Sequence, residues 1–486
     1  MTLLSNTRHS IARRLALRQA PSAISPDPMK PSRHLPLTRL AASIVALSLA
    51  GLVPAVAATS QPMSVDIQQQ LSSEIRAIQP QLISWRRDFH QYPELSNREV
   101  RTAKQISKVL TELGISHQTG IAKTGVVGMI KGSAKTQGAT RITVALRADM
   151  DALPVTEQTN LPFASKVKSK FNGQDVGVMH ACGHDAHVAM LLATAAILQK
   201  NRHLLQGDVM LVFQPAEEGP PAGEEGGAKL MLKEGLFAKV KPAAIFGIHV
   251  WPGKTGQLQV KTEGIMAAAD SFEITVKGAQ THGSSPWRGV DPVAVSGQLI
   301  SALHQIPARQ LDVTQAPAVL SIGQVQGGVR WNIIPEEVKL GGTIRTFDPV
   351  MRQQLLEKMQ RTTEHITAAS GASADFHQHS FAAVTWNHTG LTEWAMPSLR
   401  WAADKAGVAP IKPITASEDF SFYQQQIPGM FFFLGIAPPN TEPSSIPPNH
   451  SPRFELDESA LENGVRAMTK LAIDFLAAPP NLAAQP

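Results

Sequence analysis

Apolar residues at Ile67, Leu71, Ile75, Ile78, Leu82 and Trp85 recur at helical spacing, so Ser64–His90 is expected to form an amphipathic helix and Arg98–Leu113 a second one, ending before Gly114. The pattern then changes to short apolar runs, Val126–Ile130, Ile142–Ala148, Val209–Phe213 and Ala244–Val250, bounded by Gly, Pro or Asp and separated by helical stretches such as Val188–Gln199. Runs of this kind are the buried strands of an α/β sheet, and charged and polar residues gather just after them, where such sheets collect ligand sites. From about Val260 the order becomes strand Ser271–Lys277, helix Pro292–Ile306, strands Val319–Val325 and Val338–Arg345, helix Pro349–Ser370 and strand Ala374–Gln378. That β-α-β-β-α-β order predicts a ferredoxin-like insert. Leu391–Ala406, Met430–Gly435 and Asp457–Leu476 would complete the first domain. The expected organisation is a leader over 1–58, a first catalytic part over 64–259, an insert over 260–377 and a second catalytic part over 378–480.

The chain has 486 residues, 17% of them charged, with 45 Lys+Arg against 39 Asp+Glu. Its net charge of +6 would suggest nucleic acid, but residues 1–58 hold seven basic side chains and one acid, Asp27, so the whole excess sits there. A broad basic face for nucleic acid is not expected on the remainder. Lys30, Arg33 and Arg39 precede the uncharged run Leu40–Val53 and the small residues Ala55–Ala58, the pattern of an export signal starting at Met29 and cleaved near Ala57 or Ala58. The run is too short for a permanent membrane anchor, so a periplasmic or secreted protein is expected. Cys182 is the single cysteine, which excludes an internal disulfide and makes its neighbours the point of interest.

Those neighbours are Met179-His-Ala-Cys-Gly-His-Asp-Ala-His187, three histidines, a thiol and a carboxylate in nine residues. Cys182 and His184, with Gly183 between them, suit an extended or tightly turned segment that aims both side chains at one metal ion; thiolate and imidazole fit zinc, manganese or cobalt. After the third apolar run stands Gln214-Pro-Ala-Glu-Glu-Gly219. Adjacent carboxylates on an extended strand project to opposite sides, so Glu218 is expected to bind metal while Glu217 faces substrate and moves a proton. His249 ends the fourth apolar run, where a buried imidazole needs a partner. Glu418 and Asp419 precede a predicted helix and read as capping carboxylates. Trp251, Trp287 and Phe422 are candidates for an aromatic pocket lining.

With Arg86-Arg-Asp-Phe-His90, Arg147-Ala-Asp-Met-Asp-Ala-Leu-Pro154, His180-Ala-Cys-Gly-His-Asp185, Pro215-Ala-Glu-Glu-Gly219, His249-Val-Trp-Pro252, Thr281-His-Gly-Ser284, Asn332-Ile-Ile-Pro335, Ser417-Glu-Asp-Phe420 and Asn449-His-Ser451 in order, the chain resembles the metal-dependent aminoacylase and carboxypeptidase family over roughly Leu82–Leu476. Within it, the resemblance is to the hippurate hydrolase and auxin-conjugate hydrolase branch. It implies a zinc-peptidase-like catalytic domain with an inserted lid and dimerisation domain, hydrolysing N-acyl amino acids. It also implies two divalent ions per subunit, zinc, manganese, cobalt or nickel, held by Cys182, His184, Glu218, His249 and His450 with the thiolate bridging, and Glu217 as base. Asp149 would orient a ligand. Arg147 stands where other members carry a histidine ligand, and His184 would supply the missing imidazole. His282 would polarise the scissile carbonyl from the partner subunit of a homodimer, and Asn332 and Arg345 would contact the substrate's carbonyl or carboxylate. Phe376–Phe381 departs from the usual return strand. The competing readings are a carboxypeptidase or dipeptidase on the same scaffold, a non-catalytic periplasmic binder, and a serine hydrolase at Ser284 or Ser285, which lacks a nucleophile elbow.

Overall fold

The computed structural model describes residues 63–136, 141–438, 441–442 and 445–482, all within the compact unit Ala58–Pro486. The expected leader lies outside the described residues, and among these no helix is long and apolar enough to cross a membrane. Two helices, α1 (Val65–Gln91) and α2 (Val100–Glu112), come first. The Ser64 hydroxyl caps α1 by accepting from Ile67 N–H, and Leu71, Ile75, Leu82 and Phe89 form its buried stripe. A hairpin, β1 (Ser116–Ile121) and β2 (Gly125–Lys131), precedes β3 (Thr143–Asp149); a second hairpin, β4 (Lys168–Phe171) and β5 (Gln174–Gly177), precedes α3 (His184–Lys200), β6 (Asp208–Gln214), α4 (Gly227–Lys233) and β7 (Ala244–Trp251). Beyond the short strands β8 (Leu258–Val260) and β9 (Glu263–Met266) the chain enters a second sheet.

That sheet holds β10 (Ala268–Lys277), with β11 (Thr281–His282) set apart, then α5 (Pro292–Arg309), β12 (Ala318–Gly327), β13 (Ile333–Ile334), β14 (Glu337–Thr346), α6 (Pro349–Ala369) and β15 (Ser373–Ala382). Its order is β12-β14-β10-β15, all antiparallel, which is the split β-α-β arrangement of the expected ferredoxin-like unit. Phe272, Ile274, Val276, Leu340 and Ile344 face α5 and α6 to make a separate core. The segment Phe376–Phe381 is strand here, carrying β15 on to Ala382 with a shift of register at Phe381. The chain then returns through β16 (Thr385–Asn387), α7 (Thr389–Ala403), β17 (Val408–Pro410), α8 (Ser421–Gln424), β18 (Gly429–Gly435) and α9 (Leu461–Ala477).

The large sheet has the order β1-β2-β6-β3-β7-β18-β8-β17 among the described residues, and its middle strands β6, β3, β7 and β18 are mutually parallel. Every residue of β3, β6 and β18 is buried, because helices cover both faces. Phe432 packs on the side of α1, α3 and α9, whereas Phe431 and Phe433 pack on the side of α4 and α8, the two-residue alternation of a strand. Truncating any one of these rings to Ala would cost about 3–5 kcal/mol. Since the middle strands run the same way, their carboxyl ends deliver Asp149, Gln214 and His249 to one edge of the sheet.

Candidate metal centre

Cys182 reaches that edge through a turn rather than a strand. Gly183, the residue before α3, has φ 90°, a left-handed conformation, and a Cβ there would collide with Val250. Only glycine satisfies both demands, and the turn sets Cys182 just outside α3 and His184 at its first position. The His184 Nδ1 donates to the Asp151 carbonyl at 2.9 Å, which leaves the Nε2 lone pair facing Asp149 Oδ2 (3.8 Å), Glu217 Oε2 (3.9 Å) and Glu218 Oε1 (3.9 Å). This buried Nε2 has no hydrogen-bond partner. Burial alone would lower the imidazole's pKa, but Asp149 and Asp151 outweigh it and hold it up at about 10. A field that retains a proton so firmly stabilises any cation at Nε2, a metal ion included.

His249 shows the same preparation. Its Nδ1 is tied to the Val250 carbonyl at 2.7 Å, so Nε2 faces the Cys182 sulfur at 3.4 Å. Burial, then His187, keeps this ring neutral, the form that ligates metal. His450 sits at φ 72° with its N–H on the Ala181 carbonyl (2.8 Å) and its Nε2 3.0 Å from Glu218 Oε1. Asn449 beside it donates to the carbonyls of Cys182 (3.1 Å) and Val250 (3.3 Å), stapling the three ligand-bearing segments together. The donor atoms of Cys182, His184 and His249 form one compact group and those of Cys182, Glu218 and His450 another. The sulfur is common to both, the placement a bridging donor requires. Burial pushes the thiol well above its ordinary value, with Glu218 and Glu217 adding to the effect, so the thiolate would need the charge of a cation. Soft sulfur, imidazole and carboxylate in two groups sharing one atom fit a pair of divalent transition ions.

Two expectations need correction. Glu217 and Glu218 do not alternate on a strand: β6 ends at Gln214, Ala216 is left-handed at φ 53°, and both glutamates lie in the turn that follows, on the same side of His184. Such a backbone costs a non-glycine residue about 1–2 kcal/mol. Glu418 and Asp419 are not simple caps. Both are buried around Arg147, whose guanidinium donates to Glu418 (2.8 Å), Asp419 (3.1 Å), Asp149 (2.6 Å) and Gln214 (2.9 Å). They also lie against Glu217, and Asp419 N–H approaches Glu217 Oε1 at 3.4 Å. Burial foremost, then Glu418 and Glu218, pushes Glu217 well above the usual carboxylate range. His187, in the same histidine-rich segment as Cys182 and His184, has both nitrogens engaged: Nδ1 on Asp149 (2.5 Å) and Nε2 accepting from Val250 N–H (2.8 Å). It joins β3 to β7 behind the cluster.

Asp149, expected to orient a ligand, thus holds His187 and Arg147 and lies 3.8 Å from His184. Arg345 lines a cavity of about 710 Å³ together with Glu217, Glu218 and Phe422. His282 and Asn332 are not brought to this cluster within the chain: they lie on the paired strands and turn of β11 and β13, where Gly283 N–H meets the Asn332 carbonyl and Ser284 contacts the exposed His282 ring. Trp287 is 78% exposed at that tip, and Trp251 packs on His249 and Phe433, so neither lines the cavity. Asp151 is a partner that sequence reasoning passed over, and Glu418 and Asp419 are partners that it read only as caps.

Residues 145–474 match the family described as Peptidase family M20/M25/M40. The chain is 40% identical over 414 residues, 85% of its own length and 99% of the relative's, to thermostable carboxypeptidase 1 of Saccharolobus solfataricus. It is 39% identical to N-acetylcysteine deacetylase of Bacillus subtilis over 405 residues, 82% of this chain and 98% of that one. The crystal structure of the Bacillus subtilis YXEP protein, described as a dinuclear metal-binding peptidase of the M20 family, superposes with a TM-score of 0.68 at 38% identity, covering 83% of this chain and 99% of that one. Its mixed α/β fold, its donor groups and these likenesses agree: the chain belongs to the M20/M25/M40 peptidase family and is a metal-dependent hydrolase of amide or peptide bonds.

Proposed function

We propose that this hydrolase cleaves N-acyl amino acids, hippurate-like or other acyl and aryl conjugates, into a carboxylic acid and an amino acid, and that it does so as an exported homodimer. The observation that carries the reading is the meeting of Cys182, His184, Glu218, His249 and His450 in two groups sharing one sulfur, with Glu217 beside them. Two divalent ions held by these five side chains, zinc, manganese, cobalt or nickel, would supply Lewis acidity and lower the pKa of water. Glu217 accepts the proton of the attacking water as the C–O bond forms. It returns that proton to the leaving nitrogen as the C–N bond breaks. Its environment of buried carboxylates raises its affinity for a proton, which favours the first half of that task.

Arg345, at the rim of the same cavity, supplies a guanidinium for the free carboxylate of the amino-acid part. His282 and Asn332 act on the scissile carbonyl of the partner subunit's site. What supports this is their position on an exposed tip flanked by Trp331, 91% exposed, and Trp287. The leader pattern over residues 29–58 supports export, and N-terminal sequencing of the secreted protein checks it.

The test is a panel of hippurate, N-acetyl amino acids and unblocked dipeptides given to metal-loaded protein, with elemental analysis alongside. Faster release of amino acid from the blocked substrates is expected. Preference for unblocked dipeptides or for peptides with a free carboxyl end would replace this reading with the carboxypeptidase or dipeptidase one.

A further inference from the structure

We infer that Asp151 is a positioning residue that sets Glu217 and Glu218 against the metal centre, an inference that rests on the site proposed above. Both glutamates must point to the same side although they are neighbours in sequence, and a strand cannot arrange that. The turn that does so presents three successive backbone N–H groups, and each meets a buried carboxylate oxygen. Ala216 N–H donates to Glu99 Oε1 at 2.9 Å, Glu217 N–H to Asp151 Oδ1 at 3.1 Å, and Glu218 N–H to Asp151 Oδ2 at 3.1 Å. Successive N–H groups in a turn make a concavity that binds anions, and here the protein's own side chains fill it.

Asp151 is itself pinned. It is 1% exposed, its Oδ2 accepts from the Ser96 hydroxyl at 2.7 Å, and its main-chain carbonyl accepts from His184 Nδ1 at 2.9 Å. One residue therefore touches, through separate atoms, the backbone of the proposed base, the backbone of a carboxylate ligand and the ring of an imidazole ligand. Rotation of its carboxylate would shift Glu217 and Glu218 together.

The two acids of the cradle differ in what an amide could replace. Glu99 accepts from Ala216 with one oxygen and from the Thr124 hydroxyl with the other. Glutamine there keeps the first bond with its carbonyl, and the hydroxyl can turn to accept from its amide. Asn at 151 has no such escape: both oxygens receive backbone N–H groups, so either orientation sets an amide N–H against another N–H.

The experiment measures the Mn²⁺ dissociation constant of chelator-stripped protein by calorimetry, and kcat and KM on the best amide of the panel, for D151N, D151E, S96A and E99Q. D151N is expected to weaken Mn²⁺ binding by about 10–100-fold and to lower kcat at saturating metal by about 100-fold with KM nearly unchanged. D151E keeps the charge and displaces the oxygens, and is expected to lose comparably. S96A, which only frees the carboxylate to rotate, should lose several-fold in kcat, and it carries the test if either Asp151 variant fails to fold. E99Q, which keeps both hydrogen bonds, should lose clearly less than D151N. Parental metal binding and turnover in D151N would overturn the inference, as would a parental D151E, which would make the effect one of charge, or an E99Q as impaired as D151N, which would make it one of packing. A panel with no cleaved amide would sink the functional reading and leave the metal-binding arm to judge Asp151.

Discussion

Replacing Arg147 by Met tests whether one buried cation holds the acidic floor beneath Glu217. The guanidinium is fully buried and serves Gln214, Asp149, Glu418 and Asp419 at 2.6–3.1 Å, so its loss leaves three buried carboxylates without their counter-charge. Breaking one side of a buried ion pair costs about 3–5 kcal/mol. The cost does not triple, because the carboxylates can take up protons instead. Burial already pushes Glu418 up to about 8 and Asp419 to about 6 against the pull of Arg147. Without the guanidinium both would bind protons more tightly still, and each tenfold gain in proton affinity corresponds to about 1.4 kcal/mol. A net loss of about 3–5 kcal/mol follows, read in a unit of this size as a fall in melting temperature on the order of 3–6 °C. R147K, which keeps the charge and loses the fork, should fall about half as far. Adding E418Q to R147M should recover about 1 kcal/mol or more, measured as a double-mutant cycle in urea. An R147M protein melting within a degree of the parent, with no coupling to Glu418, would refute the assignment of Arg147 as the compensating charge.

Glu217→Gln should lower kcat by about 10²–10⁴-fold while elemental analysis finds metal content near the parent's; retained turnover would remove Glu217 from its role. Cys182→Ser should instead lose most of its metal at equimolar supply, since a neutral hydroxyl replaces the sulfur shared by both donor groups, and unchanged metal and activity would make the thiol merely structural. Away from the site, Glu74 joins α1 to the end of α3 through Asn201 (2.6 Å) and Lys200 (3.0 Å). Burial pushes this carboxyl up, but the bonds from Asn201 and Lys200 outweigh it, so its folded pKa lies below the ordinary value. The stability it adds is then present above about pH 4.3 and lost as pH falls through the folded value. E74Q should cost about 1 kcal/mol at pH 7 and progressively less as pH falls below about 4, by urea unfolding across that range.

What could be read from sequence and what could not divides along a physical line. The middle strands were legible because a parallel strand covered on both faces must be apolar throughout, as β3, β6 and β18 are. β4, Lys-Ser-Lys-Phe, has no such signature: it is mostly exposed, and only its partner β5 makes it a strand. At the site, Cys182, His184 and His249 were legible by residue type, since thiol and imidazole are rare enough that density alone marks them. Glu418 was not, because its meaning lies in a bond to Arg147, 271 positions away, that no local pattern records. The direction of Glu217 and Glu218 was misjudged because it depends on one left-handed alanine and on acids from two other segments. One signal was nevertheless available. Arg147 and Asp149 stand two apart at the end of the mostly apolar buried strand β3, so both leave it on the same side, and Asp151 follows two residues beyond its end. A cation and an anion sharing one buried face, with a second buried anion just past them, have to be compensating charges belonging to something polar beyond the strand. In this chain that something is the turn carrying Glu217 and Glu218 on one hand and the Glu418–Asp419 pair on the other, which makes the spacing of those three residues a legible mark of where the metal centre is built.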